Sequence, residues 1–365
     1  MHYHYLIVGA GFAGCILAER LASQLNKKVL LIDRRFHIAG NAFDSVDDHG
    51  IRIHHYGPHL FHTNDEGVFR YLSQFTEWHP YRHKVRAYVN GKLVPMPINR
   101  TTVNEVLGLH LSTDEEVKEF FEREREYIRN IKNSEDVVVA KVGRRLFSLL
   151  YEGYTTKHWG VPPSALASSV CARLPIRFTT EDSYFDDRFQ AMPLHGYTAM
   201  FKNMLSHPNI SVELNTDFKD VSSSLFDSLI FTGPIDEFFD FTFGKLPYRS
   251  LRFEFETHDK EFYQPVAQVN YPNDFEFTRI TEFKHITGQK LHKTTIAKEY
   301  SLAEGEPFYP IPNDETAQQY KRYAEEAKKL TTVHFVGRLA TYRYYNMDQV
   351  TAQALKTFEE IAKKA

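Results

Sequence analysis

The feature that most constrains this chain is the glycine motif Gly9-x-Gly11-x-x-Gly14, which ends a short apolar run near the N-terminus. An alanine-rich amphipathic stretch from Cys15 to about Leu25 follows, and a second apolar run then ends in Asp33. Gly9 permits a tight turn, Gly11 lets a pyrophosphate approach the backbone, and Gly14 lets the helix pack on the strand. The helix N-terminus offers unpaired N–H groups to phosphates, and Asp33 can accept hydrogen bonds from ribose hydroxyls. This order of elements predicts a dinucleotide-binding site.

The composition is that of a soluble globular protein of two or three domains, with 365 residues, 42% of them hydrophobic and 25% charged. The formal net charge of −3 provides no basic field, so we expect no nucleic-acid partner. Cys15 and Cys171 have neither metal-type nor redox spacing. The N-terminus lacks the basic segment of a signal peptide, and no apolar run reaches the length of a membrane span. We therefore expect a cytoplasmic protein without a membrane span.

Three further stretches have the pattern of strands that could join the sheet of the glycine motif. Ile210–Leu214 alternates apolar and polar residues, Ser228–Gly233 has the pattern of a buried strand, and Thr332–Gly337 adds one more. A last helix is expected from Met347 to about Lys364, and Asn346 with Gln349 would cap its start. These patterns predict a parallel sheet assembled from segments that are far apart in the chain.

The segments between these strands have a different character. Residues 101–152 are charged and helical, with a capping box at Ser112–Glu115, a helix start at Ser134 and a helix stop expected at Gly153. Antiparallel strands are predicted at Ser250–Thr257, Val266–Asn270 and Thr294–Tyr300.

The fold class predicted from these elements is α/β, with a Rossmann-like FAD-binding domain built from discontinuous segments, an inserted helical bundle and an antiparallel β-sheet substrate domain. This plan is typical of FAD-binding flavoproteins and differs from that of a two-domain NAD dehydrogenase. The expected boundaries are 1–75, 194–240 and 330–365 for the FAD-binding domain, 76–152 for the mostly helical domain, and 153–193 with 241–329 for the substrate domain.

Beyond the glycine motif, Asp33 and Gly337-Arg338, the chain resembles the prokaryotic UDP-galactopyranose mutase family over nearly its whole length. Each matching segment is weak alone, and their joint order is specific. The matching segments are His37–Asn41, Tyr56–Thr63, Gly153–Gly160, Arg173–Phe178, Gly196–Thr198, Thr232–Asp236, Tyr248–Ser250, Thr278–Glu282, Lys298–Tyr300, Phe308–Pro310 and Gly337–Met347.

The resemblance implies an isomerase that interconverts UDP-galactopyranose and UDP-galactofuranose with no net redox change, as needed for galactofuranose-containing cell-wall polysaccharides. In the family, N5 of reduced FAD attacks the anomeric carbon and UDP departs and returns, so no protein nucleophile is required. The implied partners are UDP-galactose and UDP-galactofuranose, a reductant for the flavin such as NADPH, and a second copy of the chain in a homodimer.

Arginine suits a departing diphosphate because it is permanently charged and binds phosphate through a planar fork. Arg173 and Arg279 match the two diphosphate-binding arginines of the family, and we expect them to be catalytic as electrostatic stabilisers of the leaving group. Arg249 matches a third arginine near the substrate. The segment from Leu166 to about Ile176, which carries Arg173, resembles the mobile lid of the family.

Aromatic and polar residues complete the substrate side implied by the resemblance. Tyrosine hydroxyls can donate to phosphate oxygens without adding charge, and Tyr184, Tyr309 and Tyr344 match family tyrosines in that role. The expected uridine and nucleotide contacts are Tyr154, Thr155 and Asn270. Trp159 matches a tryptophan beside the substrate, and its surroundings have the sequence of a loop.

On the cofactor side, the resemblance places one group of residues around the ADP half and two groups around the flavin. The helix that starts at Asn346 would favour an anionic reduced flavin through its dipole. The ADP half is assigned to Gly9, Gly11, Phe12, Ala13, Gly14, Asp33, Arg34, Asn41 and the backbone at Phe218, and the flavin to His59, Leu60, His62, Arg338, Tyr344, Asn346 and Met347.

A cluster of histidines allows another interpretation. His54, His55, His59 and His62 suggest a metal site, but the flavin-loop match accounts for His59 and His62 better, and we expect no metal.

Asn346 stands where close relatives carry Asp, so rate or substrate preference could differ. Ala39 stands where the family commonly has Gly.

Two alternative functions share the predicted fold. A flavin-dependent oxidoreductase of the amine-oxidase type would have the same glycine motif, but it would give no reason for Arg173, Arg279 and the tyrosines. A catalytically silent flavoprotein that binds nucleotide sugars is the second alternative, and Asn346 is the one feature that favours it.

Overall fold

A computed structural model describes residues 2–172 and 175–364 of the chain. Its strands, numbered along the chain, are β1 (Tyr3–Val8), β2 (Val29–Asp33), β3 (Asp44–Val46), β4 (Arg52–His54), β5 (Phe61–Thr63), β6 (Trp78–Pro80), β7 (Val85–Val89), β8 (Lys92–Met96), β9 (Phe189–Pro193), β10 (Ile210–Leu214), β11 (Phe226–Phe231), β12 (Tyr248–His258), β13 (Gln268–Asn270), β14 (Arg279–Glu282), β15 (Thr294–Leu302), β16 (Tyr309–Pro310) and β17 (Val333–Phe335).

The helices are concentrated in the N-terminal half and at the C-terminus. Within the described ranges, no helix combines the length and the apolar character that a membrane crossing requires. They are α1 (Phe12–Leu25), α2 (Glu66–Leu72), α3 (Arg100–Leu107), α4 (Asp114–Glu124), α5 (Ser134–Phe147), α6 (Gly153–Trp159), α7 (Ser169–Ala172), α8 (Tyr197–Met204), α9 (Ile235–Phe238), α10 (Phe283–Thr287), α11 (Asp314–Ala327) and α12 (Met347–Ala362).

A five-stranded parallel sheet with the order β10-β2-β1-β11-β17 is the first of the two large sheets. Its strands come from the N-terminal segment, the 210–231 region and the C-terminal segment, so the prediction of a sheet assembled from distant pieces is confirmed. Every residue of β2 is buried, as expected for a parallel strand covered on both faces. Ile7, Leu31 and Ile230 pack into the core that also holds α1 and α12.

The glycine motif has the close approaches that its sequence predicts. Gly9 has φ +101°, and a Cβ there would lie 2.1 Å from Thr232 Oγ1. A Cβ on Gly14 would lie 1.9 Å from the Gly9 carbonyl oxygen, so only glycine lets α1 pack this closely on the turn. Gly11 is the extended N-cap of α1. The helix therefore begins at Phe12, three residues before the predicted start at Cys15.

The second large sheet has seven strands in the order β16-β12-β15-β14-β13-β7-β8. All neighbours are antiparallel except β13 and β7. The predicted strands at 250–257 and 294–300 are confirmed as parts of β12 and β15, whereas of the strand predicted at 266–270 only Gln268–Asn270 forms β13. The hairpin β7–β8 turns at Asn90-Gly91, both with positive φ, which is a strong hairpin signal that the sequence analysis overlooked. The segment 76–152 thus contributes two strands to this sheet as well as α3, α4 and α5.

The helical segment differs from the prediction in two details. The capping box is Thr113 with Glu116, one residue later than the predicted box at Ser112–Glu115. Gly153 does not end a helix, because its φ of −64° is helical and a π-helical turn at Ser148–Glu152 leads directly into α6. A Cβ on Gly153 would lie 2.5 Å from the Pro272 carbonyl oxygen, so this glycine serves close packing. The helix ends at Trp159, with Gly160 in the left-handed conformation.

Candidate functional site

A cavity of about 500 Å³ lies at the carboxyl ends of β1, β2 and β11, where open α/β sheets bind their ligands. The N-termini of α1 and α12 both face it, and they present unpaired N–H groups and the positive ends of two helix dipoles. Eleven of the residues predicted for the cofactor line this cavity. They are Gly9, Gly11, Phe12, Ala13, Asp33, Arg34, Asn41, His59, Phe218, Arg338 and Met347.

The other predicted cofactor residues lie outside this lining. Gly14 packs against the turn, and Leu60 packs on the main core. His62 Nδ1 lies 2.8 Å from Asp187 Oδ2. Asn346 caps α12, and its backbone N–H donates to Gln349 Oε1 over 2.9 Å, so the predicted cap pair is confirmed at that bond. Tyr344 belongs to the aromatic cluster described below.

Asp33 fixes the conformation of the glycine turn. Its Oδ2 accepts a hydrogen bond from the Ala10 N–H at 2.8 Å, and its Oδ1 accepts one from the Arg35 N–H at 2.9 Å. A carboxylate has about four acceptor positions, so two remain for hydroxyl groups of a ligand. The predicted ribose contact is therefore compatible with a structural role in holding the turn.

Charged side chains also line the cavity, where Arg34 was predicted and Arg35, Glu237 and Glu306 were missed by the sequence analysis. Arg34 lies 3.6 Å from both Glu237 and Glu306, and Arg35 lies 2.7 Å from Glu306. Glu237 belongs to α9 and Glu306 to the loop before β16, so three distant segments meet here. No local motif signals these contacts, because each residue alone has the pattern of a solvent-exposed charge.

His59 lines the cavity as a neutral imidazole of one tautomer. Its Nδ1 lies 3.0 Å from the Gly57 carbonyl oxygen, which accepts only from an N–H, so Nδ1 carries the proton and Nε2 is the acceptor. Burial lowers the pKa of His59 to about 3, and His54, Arg338 and Arg279 add to the effect. Arg338 lines the cavity, whereas Arg279 belongs to the seven-stranded sheet.

The second half of the site is centred on Arg279, at the start of β14. Its Nε and Nη2 donate to Glu299 Oε2 on the neighbouring strand at 2.8 and 2.7 Å. Glu299 is 1% exposed. Although burial opposes the charge, Glu299 raises the pKa of the Arg279 guanidinium above its ordinary value. Glu299 was missed as a site residue, although it lies within the Lys298–Tyr300 segment that carries the family resemblance.

Aromatic rings surround this ion pair. The centroid of the Trp159 ring lies 5.2 Å from that of Tyr309 and 5.3 Å from that of Tyr344. Trp159 is 4% exposed and is the last residue of α6, so the prediction that it lies in a loop is wrong. Tyr154 stacks on His158 with a centroid distance of 5.8 Å. The Arg338 guanidinium lies 5.3 Å from the Tyr344 ring centroid, which joins the aromatic cluster to the cavity.

Arg249 lies in the same cluster, with its guanidinium directed at helix α6. Its Nε donates to the His158 carbonyl oxygen at 3.0 Å, and its Nη2 donates to that of Lys157 at 3.3 Å. These are carbonyls of the last turn, which have no partner within the helix. Arg249 is 5% exposed. The structure thus places this predicted substrate residue as a C-terminal cap of α6.

Of the remaining predicted substrate residues, Asn270 is next to Arg279 in the sheet, paired with it across β13 and β14. Its Oδ1 accepts from Gln268 Nε2 at 2.8 Å. The Tyr184 backbone N–H donates to the His83 carbonyl oxygen at 2.9 Å. Thr155 is 4% exposed within α6. Arg173, the other predicted catalytic arginine, lies outside the described residues.

The four histidines considered as metal ligands contact different partners. His54 Nδ1 accepts from the His59 N–H at 3.1 Å, and His55 Nε2 lies 2.7 Å from Ser45 Oγ. Across residues 2–172 and 175–364, no group of three His, Cys, Asp or Glu side chains has the arrangement of a metal site.

Solved structures with the same fold include a mutase and oxidases. A reduced UDP-galactopyranose mutase superposes with a TM-score of 0.78 at 16% identity, covering 100% of this chain and 96% of that one. A putative protoporphyrinogen oxidase from Exiguobacterium superposes with a TM-score of 0.70 at 13% identity, covering 100% of both chains. At these identities the similarity establishes the fold alone.

Sequence comparison establishes the family. A family model described as UDP-galactopyranose mutase matches residues 149–344, and one described as an NAD(P)-binding Rossmann-like domain matches residues 7–75. A probable UDP-galactopyranose mutase from Klebsiella pneumoniae is 40% identical over 97% of this chain and 94% of its own length. A dTDP-fucopyranose mutase from Escherichia coli is 36% identical over 96% of both. The chain therefore belongs to the UDP-galactopyranose mutase family.

Proposed function

We propose that this protein binds FAD and, with the flavin reduced, interconverts UDP-galactopyranose and UDP-galactofuranose without net redox change. The observation that carries this proposal is the junction of two half-sites. The dinucleotide cavity meets the Arg279 cluster at Arg338, which lines the cavity and whose guanidinium lies 5.3 Å from the ring centroid of Tyr344, beside Trp159 and Tyr309. A flavin in the cavity would therefore lie close to a cationic, tyrosine-rich pocket suited to a nucleotide diphosphate.

The residues present fit FAD. Gly11 and Gly40 line the cavity with their backbones close together, since a Cβ on Gly40 would lie 2.9 Å from the Gly11 Cα, whereas a Cβ on Gly11 would meet no protein atom closer than 3.7 Å. The N-termini of α1 and α12 would favour the pyrophosphate and an anionic reduced ring, respectively. When bound and reduced, the flavin supplies the nucleophile for the anomeric carbon, so the protein needs none of its own.

The task left to the side chains is to hold the diphosphate while its bond to the sugar breaks and re-forms. Arg279 uses Nε and Nη2 on Glu299, which leaves Nη1 for a phosphate oxygen, and Arg173 is proposed as the second cation. Burial raises the pKa of the Tyr154 and Tyr309 hydroxyls, so these groups stay protonated and neutral. The rings of Trp159, Tyr309 and Tyr344 exclude water, which would strengthen each charge contact and protect an activated sugar from hydrolysis.

The direct test follows the sugar and the electrons together. Flavin-loaded protein is reduced with dithionite under nitrogen and given UDP-galactofuranose, and the nucleotide sugars are separated by chromatography. The proposal predicts many turnovers to UDP-galactopyranose for each reduced flavin. Product that forms in proportion to NADPH or oxygen consumed would instead identify an oxidoreductase, and tight binding without conversion would identify a silent sugar-binding protein.

A second substrate pair has support from the 36% identical dTDP-fucopyranose mutase. D-Fucose lacks the 6-hydroxyl of galactose, and thymidine differs from uridine in the base methyl and the 2′-hydroxyl. Competition between UDP-galactose and dTDP-fucose in one reaction gives the ratio of their kcat/KM values directly. We expect the UDP-sugar to be preferred, and a preference for dTDP-fucose would reassign the substrate while leaving the reaction type unchanged.

A further inference from the structure

Lys157 lies on α6, two residues before its end at Trp159, and its side chain reaches the loop that joins β13 to β14. Its Nζ donates to the backbone carbonyl oxygens of Tyr271, Phe275 (2.8 Å) and Phe277 (3.4 Å). An ammonium has three N–H donors and no acceptor, so these three oxygens use all of its donors. The loop therefore folds around a single positive charge.

The helical segment contacts this loop at two further points, each four residues earlier along the chain. A Cβ on Gly153 would lie 2.5 Å from the Pro272 carbonyl oxygen, so the two backbones touch there. Asn273 Nδ2 donates to the Leu149 carbonyl oxygen at 3.1 Å. Residues four apart lie on one face of a helix, so positions 149, 153 and 157 form a continuous contact with the loop.

The loop connects two strands of the pocket. Asn270 is the last residue of β13 and Arg279 is the first of β14, and the two pair across the sheet. Of the carbonyls held by the ammonium, that of Tyr271 directly follows Asn270, and that of Phe277 comes two residues before Arg279. Lys157 therefore ties the ends of both strands to α6.

Two other groups of the pocket are held independently of Lys157. Arg279 donates twice to Glu299 on β15, and Arg249 caps the C-terminal end of α6. The contact at Gly153 brings the N-terminal half of α6, where the predicted uridine contacts lie, onto the loop. Loss of the ammonium should therefore loosen the nucleotide contacts and leave Arg279 beside Glu299.

Lys157 is half-buried and is charged at neutral pH. Burial lowers the pKa of its ammonium to about 8, and Asp274 in the same loop opposes this shift. A charge removed from water is stable where polar groups compensate it, and the three carbonyl oxygens do so here. A neutral side chain of similar length would fill the space without gathering these oxygens.

We propose that Lys157 is a positioning residue for the nucleotide end of the substrate. By gathering the three carbonyl oxygens, its ammonium fixes Tyr154 on α6 relative to Asn270 on β13, so that both can contact one nucleotide. The proposal rests on the proposed function, since it needs a UDP-sugar in this pocket. Contacts made equally before and during bond breaking change KM and not kcat, so the expected defect is in nucleotide binding.

Lys157→Ala in the flavin-loaded protein tests this in two ways. The affinity for UDP, measured by calorimetry on the oxidised protein, should fall at least about tenfold, the equivalent of one hydrogen bond to a charged group. With the flavin reduced, KM for UDP-galactofuranose should rise by a similar factor while kcat changes less than about threefold.

Lys284→Ala is the matched control. Its Nζ also donates to backbone carbonyl oxygens, those of Glu261 and Leu291, but in loops that carry no predicted substrate residue. We expect this variant to have a lower melting temperature and an unchanged KM and kcat. The pair of variants thus separates a loss of loop stability from a loss of nucleotide positioning.

Chemical rescue tests the charge itself. Lys157→Ala leaves the three carbonyl oxygens around the space of the missing Nζ, where an ammonium ion can donate to them. Ammonium chloride should raise the UDP affinity of this variant about threefold or more. Tetramethylammonium chloride at the same ionic strength carries the charge without an N–H and should have no effect.

Lys157→Arg serves if the alanine variant does not fold, since it keeps a charge and donors but its planar fork cannot donate to three oxygens around one point. We expect a smaller loss of UDP affinity, about threefold. Unchanged UDP affinity, a fall in kcat that exceeds the rise in KM, or an equal response of Lys157→Ala to the two salts overturns the inference alone. A wild type that binds no UDP would overturn the proposed function with it.

Discussion

At the carboxyl end of the parallel sheet, the cavity is shaped by backbone at Gly9, Gly11 and Gly40, whereas the adjoining pocket on the seven-stranded sheet is shaped by side chains. The glycine turn is formed by residues a few positions apart, and its contacts are fixed by what a Cβ would strike. Arg279 and Glu299 lie on neighbouring strands and are held together by hydrogen bonds, and His158 of α6 lies 3.8 Å from Glu299. Substitutions in the cavity should therefore act by steric clash with the backbone. Substitutions in the Arg279 pocket should act by loss of charge contacts and hydrogen bonds.

The largest effects are expected for two glycines near the cavity, Gly14 and Gly11, whose substitution should affect stability differently. Gly14→Ala places a methyl 1.9 Å from the Gly9 carbonyl oxygen, so the turn must move, and we expect loss of flavin together with about 1–3 kcal/mol of stability. Gly11→Ala meets no protein atom closer than 3.7 Å, so the apo-protein should keep its melting temperature and still fail to bind flavin. Visible absorbance gives the flavin content of both variants, and thermal unfolding gives their stability. A flavin-loaded Gly11→Ala would contradict the proposed position of the pyrophosphate.

On the pocket side, Arg279→Lys keeps the charge beside Glu299 but removes the planar fork. We expect normal flavin content and a fall in kcat of about 10²–10³-fold, the scale of one lost donor to a developing anion. Arg173→Ala should lower turnover at least about a hundredfold for the same reason. Lysine is chosen because a neutral residue at position 279 would leave the buried Glu299 carboxylate without a cation. The resulting loss of stability would be hard to separate from a loss of activity. Near-normal turnover in either variant would remove that arginine from the proposed mechanism.

Arg249 tests whether neighbouring arginines share one role. Arg249→Met leaves the carbonyl oxygens of Lys157 and His158 without their donor, and we expect a loss of about 1–3 kcal/mol in the free energy of unfolding. Turnover measured well below the melting temperature should change less than that of Arg279→Lys. The opposite pattern, unchanged urea unfolding with a hundredfold loss of turnover, would make Arg249 a direct ligand.

Two buried histidines, His54 and His83, predict how stability depends on pH. Burial lowers the pKa of His54 to about 4 and that of His83 to about 3, whereas the unfolded chain binds protons near pH 6.5. The unfolded state therefore holds more protons below that pH, and the apo-protein should lose stability as the pH falls. One fully buried imidazole contributes up to about 2 kcal/mol between pH 6.5 and pH 5. Urea unfolding across this range should show a shallower slope for His83→Gln, and an unchanged slope would contradict the assignment.

The smallest expected effect concerns Ala39, which lines the cavity with φ +76°. This conformation costs a residue with a Cβ about 1 kcal/mol, which glycine would avoid. Ala39→Gly should therefore leave stability the same or raise it by less than about 1 kcal/mol, because glycine also has more freedom in the unfolded chain. Thermal unfolding with and without flavin measures the net change in stability. A large loss of stability in Ala39→Gly would show that the methyl group is needed for packing.

Much of the architecture could be predicted because it depends on local pattern. The parallel strands, the β12, β13 and β15 strands and the Asn346 cap follow from alternation, apolar runs and capping chemistry. The stop at Gly153 was wrong because a glycine placed for close packing on Pro272 has the same sequence signature as a glycine that ends a helix. Trp159 was misplaced for the related reason that Gly160 and two prolines suggested a loop, whereas Gly160 is the cap of α6.

The sequence by itself determined the dinucleotide turn, the discontinuous parallel sheet and the family, because these depend on residue types at fixed spacing. Only the tertiary structure decided the partners of the charged groups: Arg34 with Glu237 and Glu306, Arg279 with Glu299, Arg249 with α6, and His158 with Tyr309. The physical reason is that a buried charge is stable only beside a compensating group. Which group compensates it depends on how strands far apart in the chain are brought into register.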